Sequence, residues 1–125
     1  INHKSKILVV ATGGMYHEVQ KAIRSVLIDN GYADLYLLRF IKPLDETYFL
    51  ELAKKYYGIV FVEDGVITGG IGQYLSGLLA KQGFSNTKVL GFEDRYYSHG
   101  SRDDILEAAG IDSTHIEKAI KLCSK

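Results

Sequence analysis

Four short apolar runs, each cut off by turn residues and followed by an amphipathic stretch, constrain this chain more than any other feature. Lys6 to Thr12 (KILVVAT), Asp34 to Phe40 (DLYLLRF), Gly58 to Val62 (GIVFV) and Lys88 to Phe92 (KVLGF) have the length and content of strands, the first and third apolar enough to be buried on both faces. Between them, apolar residues recur with helical spacing. Val19, Ala22, Ile23, Val26 and Leu27 mark a helix from Tyr16 to about Asp29, stopped by Asn30-Gly31. Tyr48, Phe49, Leu52, Ala53 and Tyr56 give a second helix its inner face, and Ile71, Tyr74, Leu75, Leu78 and Leu79 give a third, closed by Gly83. Ser101, with Asp104 three residues on, caps a fourth that ends at Gly110. Asp112 or Ser113 caps a fifth, with Ile116, Ala119, Ile120 and Cys123 on one face. Strands alternating with helices require crossover connections and a mainly parallel sheet. The expected fold class is therefore α/β, a three-layer α/β/α sandwich with a mainly parallel sheet of four to five strands in the order 2-1-3-4. Gly91 inside the fourth strand suits it to an edge.

Length and composition fit one soluble domain. The 125 residues are enough for a single core, and an apolar share of 46% with 24% charged residues is ordinary for a globular chain. Fifteen basic and fifteen acidic residues cancel, which leaves no electrostatic footprint for nucleic acid or an anionic membrane. The single cysteine, Cys123, fits a reducing compartment, so a cytoplasmic location is expected. No apolar run approaches the roughly 18 residues of a membrane span, and no targeting segment is visible. The start at Ile1 rather than Met is expected of a piece cut from something longer, with residues 1–125 forming one domain of it.

Ligands and partners of α/β folds gather at the carboxyl ends of the strands. Two segments fall there. Arg39-Phe40-Ile41-Lys42-Pro43-Leu44-Asp45 holds the only proline, which lacks the amide hydrogen a strand needs and stops the second strand. Asp45 is the natural N-cap of the next helix, with Leu44 and Phe49 placed as a hydrophobic staple. Arg39 suits either a carboxylate or phosphate clamp or an ion pair with Asp45, Glu63 or Asp64. The second segment runs from Val62-Glu63-Asp64-Gly65 to Gly69-Gly70-Ile71-Gly72. Its glycines miss the dinucleotide fingerprint, because Leu75 stands where a third glycine belongs; they suit close approach of another chain or domain to the helix start. Glu63 and Asp64, just past the third strand, read as solvated or interface acids rather than a catalytic pair.

Other candidates are weaker. Thr12-Gly13-Gly14 has no P-loop lysine and suffices as a tight turn. Asp64-Gly65 with Asn86 falls short of a Gly-Asp-Gly…Asn magnesium motif. His99-Gly100-Ser101-Arg102 places a histidine two residues from a serine, yet Ser101 already serves as a cap and no nucleophile elbow surrounds it, so an interdomain contact fits better. No histidine pair has metal-ligand spacing. Cys123 reads as core.

These segments together resemble the C-terminal domain of the transketolase-like thiamine diphosphate enzymes over nearly the whole chain, Lys6 to Ile120. Arg39 to Asp45 is similar to the Arg-Phe-Val-Lys-Pro-Leu-Asp of one synthase branch of that family. Glu63-Asp64-Gly65 through Gly69-Gly70-Ile71-Gly72 is similar to the Glu-Glu-Gly…Gly-Gly-Phe-Gly shared with 2-oxo acid dehydrogenase β subunits. Asp94-Arg95-Tyr96-Tyr97-Ser98-His99-Gly100-Ser101, followed by Gly110-Ile111-Asp112, favours the synthase branch, although Glu93 stands where that branch usually has proline. The resemblance implies a parent transferase that joins pyruvate to glyceraldehyde 3-phosphate with loss of CO2. It implies thiamine diphosphate and Mg2+ in that parent, held by its other domains, and no catalytic, cofactor or metal residue in this one. The partners implied are those other domains and a second subunit of a homodimer. Arg39, Asp45, Glu63, Asp64, Gly69, Gly70, Gly72, His99 and Ser101 are the candidate interdomain or dimer contacts. The alternative is a partner-docking domain of a dehydrogenase β subunit or of a transketolase. A free-standing receiver or nucleotide-binding domain ranks last, because Ala11-Thr12-Gly13-Gly14 stands where receivers need paired acids.

Overall fold

A computed structural model describes residues 6–28, 32–38, 46–66, 70–93 and 101–124. Strand β1 (Lys6–Thr12) runs into a single 3-10 turn (Gly13–Met15) and helix α1 (Tyr16–Ile28). Then follow β2 (Tyr32–Leu38), α2 (Glu46–Ala53), β3 (Gly58–Val66), α3 (Ile71–Lys81), β4 (Thr87–Phe92), α4 (Arg102–Ala109) and α5 (Ser113–Cys123). All described pairings are parallel, and the strand order is β2-β1-β3-β4, as the alternation of elements predicts.

The side chains of each strand alternate between two separate cores. Ile7, Val9, Ala11, Val60 and Val62 face a layer made by α1, α4 and α5, where Val19, Val26, Leu106, Ile116 and Ile120 are buried. Leu8, Val10, Ile59 and Phe61 face α2 and α3, where Phe49, Ala53, Leu75 and Leu79 are buried. This two-sided burial is why β1 and β3 read as continuous apolar runs. Cys123 is fully buried in the first core.

The elements differ from expectation in several places. Helix α2 stops at Ala53, short of Tyr56, β4 begins one residue early at Thr87, and Leu27, Tyr48 and Tyr74, expected on inner helix faces, are exposed. The second strand begins at Tyr32, two residues before Asp34. An aspartate inside a strand is tolerated here because Tyr56 donates its hydroxyl to Asp34 at 2.6 Å and Lys6 pairs with it at 3.4 Å. The third strand continues to Val66, so Glu63 and Asp64 belong to it rather than to the loop beyond. Its pairing with β4 slips between Val62↔Leu90 and Val66↔Phe92, an irregularity of the bulge type that bends a strand and re-aims its side chains.

α1 joins β1 to its neighbour on one side, while α2 and α3 carry the chain the other way on the opposite face. The direction of winding therefore reverses between β1 and β3. Their carboxyl ends form the topological switch point of the sheet.

Candidate functional site: the carboxyl edge at the start of helix α3

On β3, Ile59 and Phe61 point toward α3, and the strand period of two places Glu63 on the same face. Glu63 is only 5% exposed. Its Oε1 accepts a hydrogen bond from the Gly72 backbone N–H at 2.7 Å. Helix α3 has Gly70 as N-cap and no side-chain cap from that residue. Glu63 supplies what a capping Ser or Asp would: an acceptor for an otherwise orphaned amide, and negative charge at the positive end of the helix dipole. It does so across space, from the neighbouring strand.

Both glycines of this contact leave little room for a side chain, Gly72 least of all. A Cβ on Gly70 would lie 2.7 Å from Glu63 Oε1 and closer still to Oε2. On Gly72, a Cβ would meet Phe61 Cβ at 3.0 Å and Val89 Cγ1 at 3.1 Å. The space at these glycines is thus filled from within the chain, by Glu63, Phe61 and Val89. Glu63 itself is not a solvated acid. Its Oε2 is buried and has no hydrogen-bond donor among the described residues.

Around this post, the starts of α2 and α3 are tied together where Tyr74 donates to Glu46 Oε1 at 2.7 Å. That hydrogen bond holds the phenol's proton and pushes the Tyr74 pKa up, helped by residual burial and by the Glu46 charge. On the other face, Arg102 donates to the Gly14 carbonyl at 3.2 Å, tying the start of α4 to the turn after β1. Ser101 caps α4 as expected, its Oγ accepting from the Asp104 N–H at 3.2 Å. Of the two residues proposed to cap α5, Asp112 is the one used, accepting from the His115 N–H at 3.0 Å. Burial pushes the Asp112 carboxyl up. The hydrogen bonds from the His115 ring and backbone, with the His115 charge, outweigh that and leave it below its ordinary value.

Among the expected contact residues, the structure brings Glu63, Gly70 and Gly72 together and puts Ser101 at the start of α4. Asp64 lies in β3, while Arg39, Asp45, Gly69 and His99 lie outside the described residues, as does the Leu44 side of the staple. The capping role of Glu63 was missed from sequence. A signal existed: Ile59, Phe61 and Glu63 alternate on one face, opposite a helix start with glycine at 70 and 72 in place of side chains.

The chemistry open to this edge is narrow. The helix start that would draw a phosphate is already neutralised by Glu63, so a diphosphate there would meet a buried negative charge. Among the described residues no three His, Cys, Asp or Glu side chains are grouped to hold a metal ion. A diphosphate therefore does not fit the described residues of this edge. Asn86, the other half of the magnesium motif considered above, instead donates to the Tyr57 carbonyl at 3.1 Å and the Cys123 carbonyl at 2.7 Å, at the opposite edge of the sheet.

A doubly wound α/β domain with its switch-point helix sealed by an internal carboxylate is a scaffold with a built edge, and comparison with known proteins agrees on its class. The sequence profile described as transketolase, C-terminal domain, matches residues 1–116, and this chain belongs to that family. It is 43% identical over 115 residues to the 1-deoxy-D-xylulose-5-phosphate synthase of Treponema pallidum, covering 91% of this chain and 18% of that protein. Proteins of the same name from Xanthomonas oryzae pv. oryzae and Parabacteroides distasonis are 43% identical over 84 residues and 34% identical over 116. They are covered to 13% and 18% of their length, so the chain spans less than a fifth of the relatives it matches. A solved chain described as a split-gene transketolase, inactive β4 tetramer, superposes with a TM-score of 0.83 over 96% of this chain and 39% of its own, at 19% identity. That likeness establishes the fold.

Proposed function

We propose that this chain is the C-terminal assembly domain of a 1-deoxy-D-xylulose-5-phosphate synthase. The parent transferase condenses pyruvate with glyceraldehyde 3-phosphate; the two three-carbon substrates give one five-carbon sugar phosphate and CO2. Thiamine diphosphate and Mg2+, bound by the other domains, supply the carbanion chemistry. This domain packs against those domains and helps a homodimer form. The product enters isoprenoid, thiamine and pyridoxal precursor synthesis in the cytoplasm.

The observation that carries the reading is the 43% identity to a protein of that name across 91% of the chain. Glu63, Gly70 and Gly72 support its assembly half, because they spend the switch-point helix start on internal structure rather than on a phosphate. Arg39, Asp45, Asp64, Gly69, His99 and Ser101 complete the proposed contact set, together with Glu63, Gly70 and Gly72. The test is to express the complete reading frame that contains this sequence. It is expected to release CO2 from pyruvate only with glyceraldehyde 3-phosphate, thiamine diphosphate and Mg2+ all present, while residues 1–125 alone show no turnover and no heat of binding with thiamine diphosphate. Turnover or tight cofactor binding by the 125 residues alone would sink the proposal.

A further inference from the structure

Among the described residues Glu63 makes one hydrogen bond, where a buried carboxylate needs several. Oε1 is used by the Gly72 N–H, and Oε2 is shut away from solvent with no donor among the described residues. No ion pair to Glu63 is found among the described residues either. A buried acceptor without a donor is destabilising, and a buried charge without a counter-charge is more so. A neutral donor would satisfy the lone pair and leave the charge; a cation satisfies both. An anion is excluded, since the carboxylate already cancels the positive end of α3. Gly70 is half-buried and brings no side chain, so the carboxylate on that side lies directly beneath backbone.

We infer that Glu63 Oε2 is a receptor site for a guanidinium or ammonium side chain, brought to the start of α3 by a neighbouring domain or subunit of the full-length enzyme. This rests on the assembly reading above and adds to it the chemistry of the contact: one cationic donor, one buried acceptor, reached over a glycine. Glu63 then serves twice, as internal cap through Oε1 and as docking acceptor through Oε2.

Hydrogen exchange at the Gly72 amide tests this, because that amide reports directly on the Glu63 carboxylate. Rates are compared between this 125-residue chain and the full-length protein, each with Glu63 and with Glu63→Gln, which keeps an oxygen for the Gly72 N–H and removes the charge. In the full-length protein with Glu63, the amide should exchange at least about tenfold more slowly than in the 125-residue chain. Glu63→Gln should abolish that extra protection, yet leave the rate in the 125-residue chain within about twofold. A merely structural carboxylate would change both proteins alike, and that outcome overturns the inference. So does extra protection that survives in the Gln form, which would mean that water or a neutral donor completes Oε2. Should the Gln chain fail to fold, the comparison with Glu63 decides alone: equal rates in the short and full-length proteins refute the site. A full-length protein that turns over as proposed but shows no added protection refutes only this inference; one that never assembles or turns over refutes the assembly reading as well.

Discussion

Glu63 and Gly72 explain each other at the scale of single residues: the carboxylate is tolerated in the core because it caps a helix, and the helix can come that close because position 72 has no side chain. Gly72→Ala should therefore be costly. Its Cβ would press on Phe61 Cβ and Val89 Cγ1, and the first of these is fixed to the backbone of β3. Overpacking of this kind costs about 1–3 kcal/mol, to be read as a lower urea midpoint with an unchanged slope. Gly70→Val acts differently. It collides with the movable end of Glu63, so the domain should lose the α3 cap and about 1 kcal/mol or more before any partner is considered. A variant at Gly70 that weakens only assembly and leaves the chain's own urea midpoint untouched would contradict this. Asp112 carries the pH dependence. Its folded carboxyl is held below the ordinary value, so its contribution is present in full above the unfolded pKa of about 4 and is lost as pH falls through the depressed folded value. Thermal melts across the acid range should show that limb, and Asp112→Asn, which keeps an acceptor but does not titrate, should flatten it.

At the scale of elements, the helices were legible where their caps and faces are local. Ser101 and Gly110 bracket α4 as their side-chain chemistry dictates, with Gly110 in the left-handed region at φ 74°. Ser101→Ala should cost about 0.5–2 kcal/mol by removing the acceptor for the Asp104 N–H, with the loss seen in urea melts of the chain alone. The fold order was legible too, because β1 and β3 need two covered faces and their connections allow few topologies. What sequence could not show was set by distant partners. The early start of β2 depends on Tyr56 and Lys6 satisfying Asp34 from other elements. The extension of β3 through Glu63-Asp64-Gly65, residues that ordinarily signal a loop, depends on a slipped ladder with β4 and on an amide 9 positions away. The candidate site was half visible for the same reason: its residue types announce an edge, but only the fold reveals that Glu63 faces inward.

At the scale of the whole molecule, the two edges of the sheet do different work. The carboxyl edge holds Glu63 against the start of α3, whereas the amino edge is closed on itself by one side chain. The Asn86 side chain donates to the carbonyl before β3 and to the carbonyl that ends α5, while the Asn86 backbone carbonyl accepts from the Ile59 N–H at 3.0 Å. It thereby fastens the last helix to the first residues of two strands, and the room for it exists because Gly58 has no Cβ, which would lie 2.6 Å from Asn86 Nδ2. Removing the amide strands two carbonyls, one of them part-buried, and frees the end of α5 from the sheet. Asn86→Ala should lower stability by about 1–3 kcal/mol and speed exchange of the amides near Cys123. With that end of α5 loosened, the buried Cys123 thiol should become reactive; in the native chain, burial pushes its pKa up against the weaker pull of Lys88 and keeps it protonated. Because the substitution lies at the edge opposite Glu63, it should leave exchange at Gly72 unchanged until the whole domain unfolds. Equal acceleration at Gly72 and at the end of α5 would show instead that the two edges open as one unit, and that the carboxyl edge is not the independently held platform its internal cap implies.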